Sequence, residues 1–201
     1  MDTYEMSGWS NAIVDLDNDG WKDLVVARSN VQDNIAKFAP RQYEEPVSVF
    51  RNLGSRRFQN VTRTAGPALQ KPSAHRGLAV GDLDNDGRMD FVVTALNGPV
   101  KVFHNTTRNA NHWILLKLTG TKSNRMAIGA KIRVTTADGL VQYNHVTTST
   151  GYACSSDSRV HFGLGASDTV KEIEIIWPSS VRQVLRDVPA DRVVSVTEPA
   201  R

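Results

Sequence analysis

Two nine-residue stretches, DLDNDGWKD from Asp15 to Asp23 and DLDNDGRMD from Asp82 to Asp90, place an aspartate at the first, third, fifth and ninth positions. A hard cation such as Ca²⁺ takes six to eight oxygen ligands, and a chain supplies them by turning alternate side chains onto one point. Asp15, Asp17, Asp19 and Asp23, and Asp82, Asp84, Asp86 and Asp90, are therefore the expected ligands of two Ca²⁺ ions. The seventh position, Trp21 or Arg88, is expected to give its backbone carbonyl, which leaves its side chain free to vary. Gly20 and Gly87 stand at the sixth position, where the chain must turn sharply. Carboxylates this crowded repel one another, so folding and cation binding are expected to be linked.

Two other structures share that opening. An EF-hand loop needs a glutamate at position twelve and a helix on either side, but the twelfth residues are Val26 and Val93 and the flanks are β-branched. A polar turn is the simpler alternative, since Asp, Asn and Gly are turn residues. Two copies with the same oxygen-bearing positions favour the ion.

The elements that must hold these loops are read from an internal repeat. NAIVDLDNDGWKDLVVA realigns on LAVGDLDNDGRMDFVVT 67 residues later, and each copy runs on to a second match, VSVFRN at Val47 or VKVFHN at Val100. The unit is strand, acidic loop, strand, turn, strand. It has the length of a propeller blade, about 40 to 45 residues in known repeats. The first copy carries an extra polar stretch from Asn30 to Pro46, read as a surface excursion. Two blades cannot close a ring of roughly four to eight. Further blades outside this chain, or self-association, are expected to complete it.

From His112 the acidic loop no longer recurs. Six apolar runs, HWILLKL, AKIRVTT, LVQYNHV, RVHFGLG, VKEIEIIW and RVVSVTE, alternate with turn signals such as Asp138-Gly139. The expected fold is therefore all-β: two propeller-type blades over residues 1–108, then a β-sandwich-like domain over 109–201.

Composition narrows the function. The formal charge is +3 and the basic residues are scattered, so no nucleic-acid footprint is present. No run approaches the roughly 20 apolar residues of a membrane-spanning helix, and the first sixteen residues lack the features of a signal peptide. Cys154 is the only cysteine, expected as a buried small hydrophobe. The five histidines show no HExxH and no helical pair, so no zinc site is expected. Ser155, Ser156 and Ser158 lie near Asp157 and His161 in sequence, but no GxSxG elbow accompanies them, and the chain is expected not to be an enzyme. Trp113 and Trp177 sit within apolar strands and are expected in the core.

The acidic loops resemble the FG-GAP or VCBS repeat. Together with FQNVTRTAG at Phe58, GYACSSDSRVHFGLG at Gly151 and IIWPSS at Ile175, the chain is similar over nearly its whole length to the ASPIC/UnbV proteins, including the cartilage acidic protein family. The resemblance implies calcium in the blade loops, a C-terminal ASPIC/UnbV domain from about His112 to Glu198, and an extracellular or cell-envelope location with a protein or glycan partner. It also leaves open a UnbV-like accessory or catalytic role in a biosynthetic pathway, or a purely structural capping role.

Overall fold

The computed structural model describes residues 6–200. Its architecture is all-β, with single 3₁₀ turns at Ile35–Lys37 and Pro67–Gln70. The first blade is an antiparallel meander of β1 (Gly8–Val14), β2 (Asp23–Arg28), β3 (Ser48–Asn52) and β4 (Phe58–Asn60), in that spatial order. The second repeats it with β5 (His75–Gly81), β6 (Asp90–Ala95) and β7 (Lys101–Phe103), but has three strands. Inward alternation of Ala12 and Val14, Val25 and Ala27, and Phe91 and Val93 buries one core shared by both blades, capped by Leu69 of the connecting turn. Each such Val, Leu or Phe stabilises by about 1.5–3 kcal/mol relative to exposure. Ser10 fastens the two inner strands: its hydroxyl accepts from the Leu78 amide at 3.0 Å and also from the Tyr152 amide at 3.0 Å.

The remaining strands form two facing sheets. One runs β10 (Val141–His145), β9 (Lys131–Thr136), β12 (Thr169–Ile176), β13 (Arg182–Pro189); the other runs β11 (Val160–Gly165), β8 (His112–Thr119), β14 (Arg192–Thr197). Every neighbouring pair is antiparallel except β14 with β8. Ile114, Leu116, Ile132, Val134, Phe162, Ile173, Ile175 and Trp177 fill the space between them. Leu115 is fully buried yet lies outside that core. With its cross-strand partner His161, and with the pair Trp113 and Gly163, it marks the opposite face of the smaller sheet.

Two strands carry no sequence signal of their own. All three residues of β4 are exposed, and β13 is an outer strand without clean alternation, so neither shows a period-two pattern. The Asn30–Pro46 stretch is a surface excursion only in part. Isolated bridges tie Ser29 to Glu44 and Glu45 to Ser73, and Asn30 and Glu45 are buried.

Candidate metal loops

Each acidic loop joins the first and second strands of its blade, and its first and last aspartates frame the turn. Asp23 opens β2 and accepts from the Leu16 amide at 3.0 Å and the Asn52 amide at 2.8 Å. Asp90 opens β6 and does the same with Leu83 at 3.1 Å and Asn105 at 2.7 Å. The ninth position thus closes the loop and pins the third strand to it. Within the turn the fourth-position asparagines, Asn18 at φ 58° and Asn85 at φ 62°, and the glycines, Gly20 at φ 90° and Gly87 at φ 84°, adopt the left-handed region. Asn and Gly are the residues that enter it at least cost, which explains their place in both copies.

The turns gather the carboxylates. Asp15, Asp17 and Asp19 bring oxygens within 4.8 Å of one another, as do Asp82, Asp84 and Asp86, forming groups able to hold a metal ion. Asp23 lies outside that first group; each of its oxygens accepts one amide and keeps a lone pair for a further partner. Asp90 joins a third grouping with Asp84 and His104. At the seventh positions, the Trp21 amide donates to Asp19 at 2.8 Å and the Arg88 amide to Asp86 at 2.9 Å.

The two loops differ in what their oxygens face. Asp82 uses both, accepting from the Asp86 and Gly87 amides at 3.1 and 3.0 Å. Asp15 accepts from Gly20 at 2.8 Å through Oδ2, while its Oδ1, together with Oδ1 of Asp17 and of Asn18, is buried with no hydrogen-bond partner. Burial pushes the Asp15 carboxyl up to about 7, against the Gly20 hydrogen bond and with the help of the Asp19, Asp17 and Asp23 charges. Burial likewise raises Asp23 to about 6, although the Asn52 and Leu16 amides oppose it. Asp17 is raised by burial and by Asp19, and Asp82 by burial against the Gly87 and Asp86 amides. Orphaned buried oxygens beside carboxyls that resist ionisation are what a cation would satisfy.

Sequence reasoning missed one neighbour of each loop. Arg51 Nη2 lies 2.6 Å from Asp17 Oδ2 and 3.5 Å from Asp19 Oδ2. At the matching place of the second repeat, His104 lies 3.3 Å from Asp90 Oδ1 and 3.8 Å from Asp84 Oδ2. The signal was the alignment of VFRN with VFHN, which sets a basic residue at one position in both copies.

The remaining histidine, serine and tryptophan candidates are placed by the packing. His161 is buried, with Nε2 3.2 Å from the Gly87 carbonyl, and burial lowers its ring to about 4. Ser156 accepts from the Val80 amide at 3.1 Å, and Asp157 pairs with Arg159 at 2.6 Å. Trp177 is in the core at 1% exposure. Trp113 is half-buried and faces Gly87 of the second loop, outside the sandwich core. Cys154 is half-buried against Gly77. Among the described residues, no helix is long and apolar enough to cross a membrane.

Comparison with known proteins matches two families along the chain. Residues 15–93 match the FG-GAP-like repeat family, and residues 120–201 match the family ASPIC and UnbV. Over 191 residues, 92% of its length, the chain is 25% identical to cartilage acidic protein 1 of Mus musculus and of Homo sapiens. Over 138 residues, 67% of its length, it is 28% identical to cartilage acidic protein 1 of Xenopus tropicalis. It spans about a quarter of the length of these relatives, 27% for the two mammalian proteins and 21% for the amphibian one.

Proposed function

The chain is an FG-GAP-like repeat protein with an ASPIC and UnbV domain, homologous to cartilage acidic protein 1, and from that premise we propose that it is a calcium-binding extracellular interaction module. Asp15, Asp17, Asp19 and Asp23, with the Trp21 carbonyl, would hold one ion; Asp82, Asp84, Asp86 and Asp90, with the Arg88 carbonyl, would hold the other. The observation that carries this reading is the trio of buried, unpartnered oxygens on Asp15, Asp17 and Asn18.

The donors in these two sets are all oxygens, four carboxylates and a carbonyl in each, which suits Ca²⁺ with its six to eight oxygen ligands better than Mg²⁺, which keeps several waters. Once bound, the ion supplies charge neutralisation and a fixed point for the turn. The residues themselves set the loop's shape: Asp23 and Asp90 hold its ends, and the left-handed asparagine and glycine turn it. Extracellular calcium modules bind at about 10⁻⁴ to 10⁻³ M. A site of that strength is filled outside cells and empty within them, which ties the calcium reading to an extracellular or cell-envelope location. With its loops rigid, the module would offer its surfaces to a protein or glycan, and no reaction is assigned to it.

Calorimetry on chelator-stripped protein tests the reading. Two bound ions with dissociation constants below about 1 mM, accompanied by a rise in Tm, are expected. Absence of both heat and thermal shift would reject it.

A further inference from the structure

The outer face of the smaller C-terminal sheet is neither exposed nor apolar throughout; it lies on the acidic loops. Gly20 and Gly87, the turn glycines of the two repeats, are both covered by that domain. A Cβ on Gly20 would come within 2.6 Å of Leu140 Cδ2, and one on Gly87 would overlap the Trp113 ring. The same position of the repeat therefore needs glycine twice over, for its left-handed φ and for the side chain resting on it.

The contact is reciprocal. A Cβ on Gly163 of β11 would overlap the Asp15 carboxylate and the Asn18 backbone, and the Gly165 amide donates to the Asn18 carbonyl at 2.9 Å. Arg159 reaches the other loop: Nη2 donates to the Asp82 carbonyl at 2.7 Å, Nη1 to Asn85 Oδ1 at 2.6 Å, and Nε to its own Asp157 at 2.6 Å. The loops also touch each other, since Asn18 Nδ2 donates to the Gly87 carbonyl at 3.1 Å, the oxygen that His161 also faces. A cavity of about 100 Å³ remains between the surfaces, lined among others by Asp15, Lys22, Gln142, Arg159, His161 and Gly163. Its wall is mixed, with Ile13, Val80 and Met89 beside those polar groups, and its volume is large enough for ordered water.

We propose that the two metal loops and the C-terminal domain are one thermodynamic unit: Arg159 and Leu140 are positioning residues for cation sites they do not ligate, and cation binding in turn tightens the docking of the domain. The physical reason is reciprocity. A segment that holds a loop in the shape the ion selects lowers the ordering cost of binding, so the ion must favour the docked arrangement by the same factor. The inference rests on the calcium reading above and specifies how it is regulated.

Sign separates this from plain electrostatics. Arg159 is a cation beside the second acidic loop, so its removal should strengthen cation binding if charge alone matters. If it positions the loop, removal should weaken binding, by about tenfold or more as for partners that orient metal ligands. Leu140 is uncharged, and Leu140→Ala should weaken the first loop alone.

The test uses the full chain and calcium chloride. Titration calorimetry on wild type, Arg159→Gln, Leu140→Ala and a control, Arg182→Gln on the outer strand β13, is combined with limited proteolysis of the 104–111 connection with and without calcium. The expected result is one weakened site in each of the first two variants, an unchanged control, and slower cleavage with calcium. Should either variant fail to fold, the other still decides, because each addresses its own loop. Wild-type affinities in both variants, or cleavage indifferent to calcium, would overturn the coupling while leaving calcium binding intact. A wild type that takes up no calcium would remove the underlying reading as well.

Discussion

Asp15 gives one oxygen to the Gly20 amide and keeps the other buried without a partner, an arrangement that penalises ionisation. Its carboxyl, raised to about 7, binds a proton more tightly in the folded chain than in the unfolded one. Without a cation, its contribution to stability is therefore fully present below the ordinary carboxylate range and lost as pH rises to about 7. His161 and His75 act in the opposite sense. Burial lowers both to about 4, so their contribution is present above pH 6.5 and lost as pH falls. A single pH profile would mix the two, and a variant separates them. In chelator at pH 7.5, Asp15→Asn should raise stability by on the order of 1–3 kcal/mol, because it removes a buried charge and keeps an acceptor for Gly20. The same variant should lose the thermal shift that calcium gives its loop. Differential scanning at several pH values checks both, and an Asp15→Asn chain less stable than wild type in chelator would contradict them.

Among the elements, the turn after β12 shows how a polar motif serves the sandwich. Ser179 of Trp177-Pro178-Ser179-Ser180 bonds Glu198, just past β14, and that carboxylate also accepts from the amides of Thr121, Lys122 and Ser123 at 2.8–2.9 Å and from the Ser123 hydroxyl at 2.9 Å. Burial by itself would raise Glu198; the Ser179, Ser123 and Thr121 hydrogen bonds overcome it and hold the carboxyl at about 2. A depressed carboxyl contributes stability above its unfolded value, 4.5, and the contribution fades as pH falls toward 2. Glu198→Gln should therefore lower Tm by several degrees at neutral pH and flatten the acid limb between pH 4.5 and 2. Circular dichroism melts across that range measure it; an acid limb unchanged in the variant would show that the clasp is not what titrates.

For the whole molecule, cation occupancy is a stability term of calculable size. At 10 mM calcium and dissociation constants of about 10⁻⁴ to 10⁻³ M, each site adds about 1.4–2.7 kcal/mol through mass action. For a chain of this length that is roughly 3–10 °C per site. If blades and sandwich are coupled as proposed, calcium should shift one cooperative transition. Two separate transitions, with only the first moved by calcium, would show that the domains melt independently.

The acidic repeat and the two β architectures were legible in the sequence because their causes are local. Aspartates at alternate positions, glycine where φ must be positive, and period-two burial along β9 or β1 are properties of short segments. Strands β4 and β13, the basic neighbours Arg51 and His104, and the place of Trp113 were not, because each depends on what another part of the chain brings alongside. The order of residues sets which oxygens can converge on an ion. Only the tertiary structure decided that Asp15 keeps an orphaned oxygen, that Asp82 does not, and that a second domain rests on both turn glycines. The physical reason is that burial, and with it the cost of every unpaired charge, belongs to the packed assembly rather than to any stretch of sequence.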